Sequence, residues 1–171
     1  MTLLALALLA AVLLAVRAAG GPEALRARYG LLAPAISLPL HLVVNVTPLA
    51  DFIPWAVANG AVYGWELGAV LNWLAWLGSS SVQFAIGRRA AQGLELEARF
   101  DTLPRWLARY PADHPVLLVA GRWIPLAGAL VNVGAGAFGV PFRRLFACAA
   151  LGAAPMAVAT AGLGAGLLHL L

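Results

Sequence analysis

Residues 121–125 read Gly121-Arg122-Trp123-Ile124-Pro125 and lie inside an apolar stretch that runs from Val116 to Leu171. An arginine at the centre of a bilayer costs about 2.5–3.5 kcal/mol on insertion scales. A proline removes a backbone donor and clashes with the preceding helical turn. Because hydrocarbon has no water for the freed backbone groups, such a break survives only inside protein or beside a wet cavity. The stretch therefore predicts a broken helix in an all-α, polytopic membrane protein.

The composition of the whole chain supports the same class. Of the 171 residues, 63% are hydrophobic and 11% are charged, with a mean hydropathy of +0.89, whereas soluble domains carry about 25% charged residues. The net charge of +4 comes from arginines that stand between apolar runs and form no continuous face, which is typical of orientation signals in a bilayer and argues against a nucleic-acid partner. A single cysteine, Cys148, excludes an internal disulfide.

The first long apolar block, residues 31–86, contains four prolines that we expect to interrupt helices: Pro34, Pro39, Pro48 and Pro54. The segment 47–54 also contains Asp51. A polar segment bounded by prolines at membrane depth predicts a discontinuous helix or a re-entrant hairpin.

About three spanning helices are expected, at residues 1–19, 65–86 and 145–168. A cleaved signal peptide is the alternative for residues 1–19. Apolar residues recur at helical spacing in the polar stretch 88–115, which predicts an amphipathic segment at the interface. A solvated connector without membrane contact is the alternative. We therefore divide the chain into an N-terminal helix, 1–19, and a membrane domain, 31–171, made of the segments 31–87, 88–115 and 116–171.

The two apolar blocks resemble each other. Phe52-Ile53-Pro54 is followed by Gly60-Ala61-Val62-Tyr63-Gly64, and Trp123-Ile124-Pro125 is followed by Gly136-Ala137-Phe138-Gly139. If both proline segments return to the side they entered, three arginines lie on one side of the membrane and seven on the other, which puts the 88–115 connector in the cytoplasm. The two units then enter from opposite faces, and the sequence predicts an inverted repeat of two broken hairpins, as in many transporters. We expect the hairpins to depend on Pro54, Gly60, Gly64, Pro125, Gly136 and Gly139.

The stretch 121–125, together with Asn132, Gly136, Pro141-Phe142-Arg143 and Gly152, resembles the second signature of the DedA/VTT family, also called SNARE-associated Golgi proteins. The pattern from Thr47-Pro48 to Ile86-Gly87-Arg88 resembles the first signature. The resemblance covers roughly residues 45–165. It implies two membrane-penetrating hairpins that face each other and a role in proton-dependent translocation of lipids or lipid phosphates. Ala56 and Gly128 stand where many DedA members carry an acid and a second arginine, so the chain is closer to the VTT branch.

Five polar residues in apolar sequence are candidates for a substrate or ion pathway: Arg122, Asp51, Glu66, His41 and Asn132. The planar guanidinium of Arg122 suits a phosphate, and Asp51 is its expected partner, because opposite charges 4 Å apart attract by about 4 kcal/mol at an effective dielectric of 20. A structural ion pair, or an arginine that snorkels to the interface, is the alternative. Glu66 and His41 are proton-pathway candidates, and each also has a structural explanation, as a helix-start acid and as part of an interhelical polar stripe.

These observations predict a transporter, lipid translocase or scramblase-like protein of the plasma (inner) membrane. Its expected partners are membrane lipids and protons, with homo-oligomerisation left open. We expect no enzymatic activity, cofactor or metal, since no residue cluster has metal-ligand or nucleotide-binding spacing. A non-transporting assembly subunit is the main alternative. An intramembrane hydrolase that uses Ser79, Ser80 or Ser81 with His41 or His169 is a minor one.

Overall fold

The structure is a computed structural model, and it describes residues 11, 14, 17–30, 32–46, 53–93, 113–124 and 127–170. Helices make up most of this part of the chain: α1 (Gly21–Tyr29), α2 (Leu32–Val46), α3 (Ile53–Gly93), α4 (Pro115–Ala120), α5 (Ala127–Ala137) and α6 (Phe142–Leu170). A 3₁₀ turn, Gly121–Trp123, follows α4. No strand occurs in the described part, where the all-α prediction is confirmed.

Two prolines of the first apolar block, Pro34 and Pro39, lie within a helix that continues past them. Pro34 lies in the first turn of α2 and Pro39 lies inside it, so the expectation that these two prolines interrupt the helix is wrong. Pro54 is the second residue of α3. The first turn of a helix tolerates proline, since its N–H groups have no partner within the helix. Pro48 lies outside the described residues.

A break inside α3 lies at Gly64, which divides this helix into the segments 53–63 and 65–93. Gly64 has φ 81° and ψ 170°, a region of backbone space that is essentially restricted to glycine. The chain reverses there, because a Cβ at Gly68 would lie 2.8 Å from the Cα of Gly60. Eight residues of continuous helix would separate these two positions by about 12 Å. Segments 53–63 and 65–93 therefore form a tight helical hairpin.

The contacts within the chain define two compact units. The first unit contains Met1–Trp76 and Ala154–Leu171, and the second contains Leu77–Ala153. Each unit therefore combines chain from both halves of the sequence: α3 and α6 both contribute residues to the first unit and to the second.

In the first unit, the segment 53–63 packs against the end of α6 through two glycines. A Cβ at Gly60 would overlap the carbonyl oxygen of Ala161, and a Cβ at Gly164 would overlap that of Val57. The two backbones approach as closely as glycine allows. The contact positions are three residues apart on each helix, at 57 and 60 on one and at 161 and 164 on the other.

The second unit contains a crossing of the same kind, between α5 and the last part of α3. A Cβ at Gly136 would overlap the carbonyl oxygen of Phe84, and a Cβ at Gly87 would overlap that of Val133. Here too the contact positions are three residues apart on each helix. Both crossings have a Val-x-x-Gly sequence on the shorter helix, at 57–60 and at 133–136.

Gly139, with φ 71°, follows the end of α5, just as Gly64 follows the end of segment 53–63. The N–H of Val140 donates to the carbonyl of Ala135, and the N–H of Gly139 donates to that of Gly136. This pair of bonds is a Schellman cap, which satisfies carbonyls left open at the helix end. Val140 and Ala135 also share the hydrophobic cluster of the second unit, as such caps commonly do.

Among the described helices, Phe142–Leu167 is long and apolar enough to cross a membrane. It coincides with the last predicted span. Residues 65–86 are helical as predicted, within the longer segment 65–93, but they carry more polar side chains. Most of residues 1–19 and all of 94–112 lie outside the described part, and with them the predicted first span and most of the amphipathic connector.

Many of the described polar side chains lie inside the units, and many large apolar side chains are exposed. Exposed apolar residues on α2 and α6 include Ile36, Val43, Leu151, Val158 and Leu163. Nine polar side chains of the described residues are buried: His41, Asn45, Asn59, Asn72, Ser79, Ser80, Gln83, Asn132 and Thr160. This distribution suits a surface that faces hydrocarbon and an interior held together by hydrogen bonds.

Candidate functional site

Arg122 is held in the break between α4 and α5. The residue before a proline is restricted to extended backbone, and Ile124, which precedes Pro125, accordingly has φ −91° and ψ 125°. The chain thus leaves the helical conformation directly after the 3₁₀ turn that carries Arg122. The two helices fold back on each other there, since a Cβ at Gly121 would lie 2.9 Å from a methyl group of Val131.

The guanidinium of Arg122 contacts three groups of the second unit. Its Nε donates to the carbonyl of Leu118 at 3.0 Å, a carbonyl in the last turn of α4. Its Nη1 donates to Ser80 Oγ at 2.9 Å, and its Nη2 donates to Asn132 Oδ1 at 2.6 Å. Since a guanidinium has five N–H groups, two remain without a partner among the described residues.

Asn132 links the arginine to α3. Its Nδ2 donates to Ser80 Oγ at 3.1 Å and to Gln83 Oε1 at 2.8 Å. Asn132 is 3% exposed, so these bonds form away from solvent. We call Ser80, Gln83, Arg122 and Asn132 the Arg122 cluster.

The backbone around the cluster is closely packed. Trp123 Nε1 donates to the carbonyl of Gly152 on α6 at 3.0 Å. A Cβ at Gly152 would lie 3.0 Å from Arg122 Cδ and from the carbonyl oxygen of Val119. A larger residue at 152 would therefore push α6 away from the arginine side chain.

The described partners of Arg122 are all neutral. The one described ion pair of the second unit joins Arg144 to Asp113 at 2.9 Å, and both side chains are exposed. Asp51, the expected partner of Arg122, lies outside the described residues, so that pairing stays a prediction. Within the described part, no carboxylate neutralises the Arg122 charge.

The structure brings Arg122 and Asn132 together, and places the other described candidates in the first unit. His41 is fully buried on α2, where its Nδ1 lies 3.1 Å from Asn59 Nδ2. Glu66 is exposed at the start of segment 65–93. Pro125 lies outside the described residues, whereas Gly60, Gly64, Gly136 and Gly139 are at the crossings and turns given above.

Ser80 and Gln83 are members of the cluster that were not among the five pathway candidates, and Ser80 was named only for the hydrolase alternative. Their spacing of three places them on one face of α3, which is a signal available in the sequence. Asn59, between Ala58 and Gly60, was likewise not singled out, although an isolated amide in an apolar segment usually marks an interhelical hydrogen bond.

Comparison with known protein families agrees with this arrangement. The model of the VTT domain matches residues 50–166, which include the Arg122 cluster and both glycine crossings. The chain belongs to the VTT-domain family. Comparison with curated proteins and with solved structures gave no match. The VTT-domain match confirms the predicted DedA/VTT membership, and this is a family of membrane proteins. Ser37 and His41 of this VTT-domain protein precede the matched range.

Proposed function

We propose that this VTT-domain protein is a multi-pass protein of the plasma membrane that moves a phospholipid or a lipid phosphate across the bilayer, with Arg122 as the group that binds the phosphate. The observation that carries the proposal is the set of hydrogen bonds of Arg122. Three of its N–H groups are used by neutral acceptors, and two have no partner among the described residues.

A charge in this setting favours an anionic ligand. Burying an arginine in a membrane protein is costly unless it meets water or an opposite charge. The phosphate oxygens of a lipid would supply that charge, and a guanidinium binds them through parallel N–H bonds. Hydrogen bonds to Leu118, Ser80 and Asn132 fix the orientation of the guanidinium. Less side-chain entropy is therefore lost when the phosphate binds.

The two glycine crossings support an inverted repeat as the framework of transport. Each consists of a short Val-x-x-Gly helix, ended by a glycine with positive φ, that packs on a longer helix with a three-residue offset. In the proposed arrangement the helices 53–63 and 127–137 are the returning arms of two re-entrant hairpins. Inverted repeats with broken helices are a recurrent basis for alternating access.

A lipid-translocation assay on reconstituted vesicles tests the proposal. Arg122→Gln keeps much of the side-chain length but removes the charge, and we expect the rate for a fluorescent anionic phospholipid to fall about 10- to 100-fold, since hydrogen bonds to charged groups contribute about 1.5–3 kcal/mol. Arg122→Lys keeps the positive charge but lacks the planar set of N–H donors of a guanidinium, and it should give an intermediate rate. Arg144→Gln is the matched control, because Arg144 is exposed and paired with Asp113.

Folding is checked separately by size-exclusion elution and thermal unfolding in detergent. An Arg122→Gln protein that is folded and transports at the wild-type rate would remove Arg122 from the mechanism. If the wild-type protein itself leaves the lipid on its original side, the assembly-subunit interpretation replaces the transporter.

A further inference from the structure

A second polar network lies inside the first unit, and none of its described members is an arginine or a lysine. It consists of five side chains from α2, α3 and α6: Ser37, His41, Asn59, Asn72 and Thr160. Asn72 and His41 are fully buried. We call these residues the first-unit network.

The direction of every bond in this network follows from one backbone carbonyl. The oxygen of Ala56 can only accept, so the Asn72 atom 2.9 Å from it is the Nδ2 donor. Asn72 therefore presents Oδ1 to Asn59, and Asn59 donates to it through Nδ2 at 2.8 Å. The remaining Asn59 oxygen accepts from the Ser37 hydroxyl at 2.7 Å.

The same chain of bonds determines the form of His41. Because Asn59 Nδ2 is a donor, His41 Nδ1 at 3.1 Å must accept, and the ring proton is on Nε2. In a doubly protonated ring, the N–H at Nδ1 would face the N–H of Asn59 Nδ2, and neither group could accept a hydrogen bond from the other. His41 is thus a neutral N–H donor, and its buried Nε2 has no acceptor among the described residues. The ring also meets Trp76 edge to face, with centroids 6.4 Å apart.

Trp55 supplies a second donor of the same kind. Its indole Nε1 is also buried and has no acceptor in the described part of the chain. Helix α2 and segment 53–63 run antiparallel, since Ser37 interacts with Asn59 and Tyr63, whereas His41, one turn later on α2, lies next to Asn59. Trp55, one turn before Asn59, therefore lies on the His41 side of this helix pair.

We propose that His41 Nε2–H and Trp55 Nε1–H are hydrogen-bond donors for an uncharged oxygen of a membrane lipid, namely an ester carbonyl. Two neutral N–H groups match a carbonyl oxygen, whereas a bare anion would lack a compensating charge in this network. The half-exposed ring of Trp55 and the apolar outer face of α2 put lipid next to the network. The inference rests on the proposed lipid-handling function, and it concerns residues of the first unit.

Nuclear magnetic resonance in nanodiscs tests the two donors without requiring transport. The protein, labelled with ¹⁵N in histidine and tryptophan, is placed in diacyl phosphatidylglycerol and in its dialkyl ether analogue, which lacks the carbonyls. We expect His41 to show the neutral form protonated at Nε2, and both N–H proton signals to move downfield in the ester lipid. Trp123, whose Nε1 donates to Gly152 in the structure, should not respond.

Three substitutions assign the signals and separate ligand binding from packing. Trp55→Phe removes the indole N–H and keeps an aromatic ring. His41→Asn keeps an acceptor for Asn59 and removes the outer donor, whereas His41→Gln keeps a donor near the Nε2 position. In the vesicle assay, wild type and His41→Gln should prefer ester over ether lipid by about three- to tenfold, the usual range for one neutral hydrogen bond. Trp55→Phe and His41→Asn should lose this preference.

The outcomes distinguish the two proposals. Identical His41 and Trp55 signals in both lipids, contact of these N–H groups with water alone, or a ring protonated at Nδ1 would each overturn the ester-binding inference. Signals that respond to the carbonyl in a protein that moves neither lipid would refute translocation and leave the binding site standing.

Discussion

Asn72 connects three parts of the first unit through one side-chain amide. It donates to Ala56 and Thr160 and accepts from Asn59, all at 2.8–3.2 Å and away from solvent. Asn72→Leu has a similar volume but leaves the Ala56 carbonyl and the Asn59 amide without this partner. We expect the free energy of unfolding in bicelles to fall by about 1–2 kcal/mol.

Thr160→Val is the matched control for this substitution. The Thr160 hydroxyl donates within its own helix to Met156, and Asn72 Nδ2 keeps its bond to Ala56 when the threonine oxygen is lost. The control should therefore lose less stability than Asn72→Leu. Equal stability of wild type and Asn72→Leu would show that the network does not hold the first unit together.

At the Arg122 cluster and the first-unit network, the sequence predicts some of the residues but not all of their contacts. Arg122 and Asn132 are predictable because charged and amide groups are rare in apolar runs and need partners there. Ser80 as the shared acceptor of both is not predictable, since one chain does not reveal which face of α3 meets α5. The neutral form of His41 is also beyond the sequence, because it depends on a backbone carbonyl fifteen residues away in the chain.

At the scale of helices, the turning points follow glycine more closely than proline. Pro39 lies within α2 and Pro155 within α6 without ending either helix, whereas Gly64 and Gly139 adopt positive φ where helical segments end. Losing one backbone hydrogen bond leaves the rest of a helix intact. A positive φ redirects the whole chain, and non-glycine residues rarely adopt it. The existence of broken helices is predictable here, but the additional break at Gly64 is not.

Two glycines on α5 differ sharply in their surroundings and give a matched test of the second-unit crossing. A Cβ at Gly136 would overlap the carbonyl oxygen of Phe84, whereas one at Gly134 would meet nothing within 4 Å. We expect Gly136→Ala to destabilise the protein by about 1–3 kcal/mol, as overpacking does. Gly134→Ala should stabilise it by about 0.5–1 kcal/mol, the usual gain in a helix interior. Thermal unfolding in detergent compares the two.

If both substitutions change stability equally, α5 does not pack on α3 through Gly136 in solution. A rise in stability for both would indicate that only helix propensity matters at these positions. The same comparison is available in the first unit, where Gly164 faces the Val57 carbonyl and Gly162 faces open space.

At the scale of the whole molecule, arginine placement predicts which segments share a side of the membrane. Arg17, Arg26 and Arg28 precede α2, and seven arginines lie in 88–109 and at 143–144. Cytoplasmic segments are rich in arginine and lysine. If both hairpins return to the side they entered, residues 93 and 143 are cytoplasmic and residue 24 faces outward.

Cysteine accessibility in intact cells measures this directly. The buried Cys148 is first replaced by alanine, and single cysteines then replace Ala24, Gly93 and Arg143. A membrane-impermeant maleimide should label position 24 in intact cells, and positions 93 and 143 only after permeabilisation. Labelling of 93 and 143 from opposite sides would mean that the chain between them crosses the bilayer an odd number of times. Such labelling would overturn the inverted-repeat topology, because the second returning hairpin requires residues 93 and 143 to share a side. The proposed presentation of a lipid phosphate to Arg122 from a returning hairpin would be overturned with it.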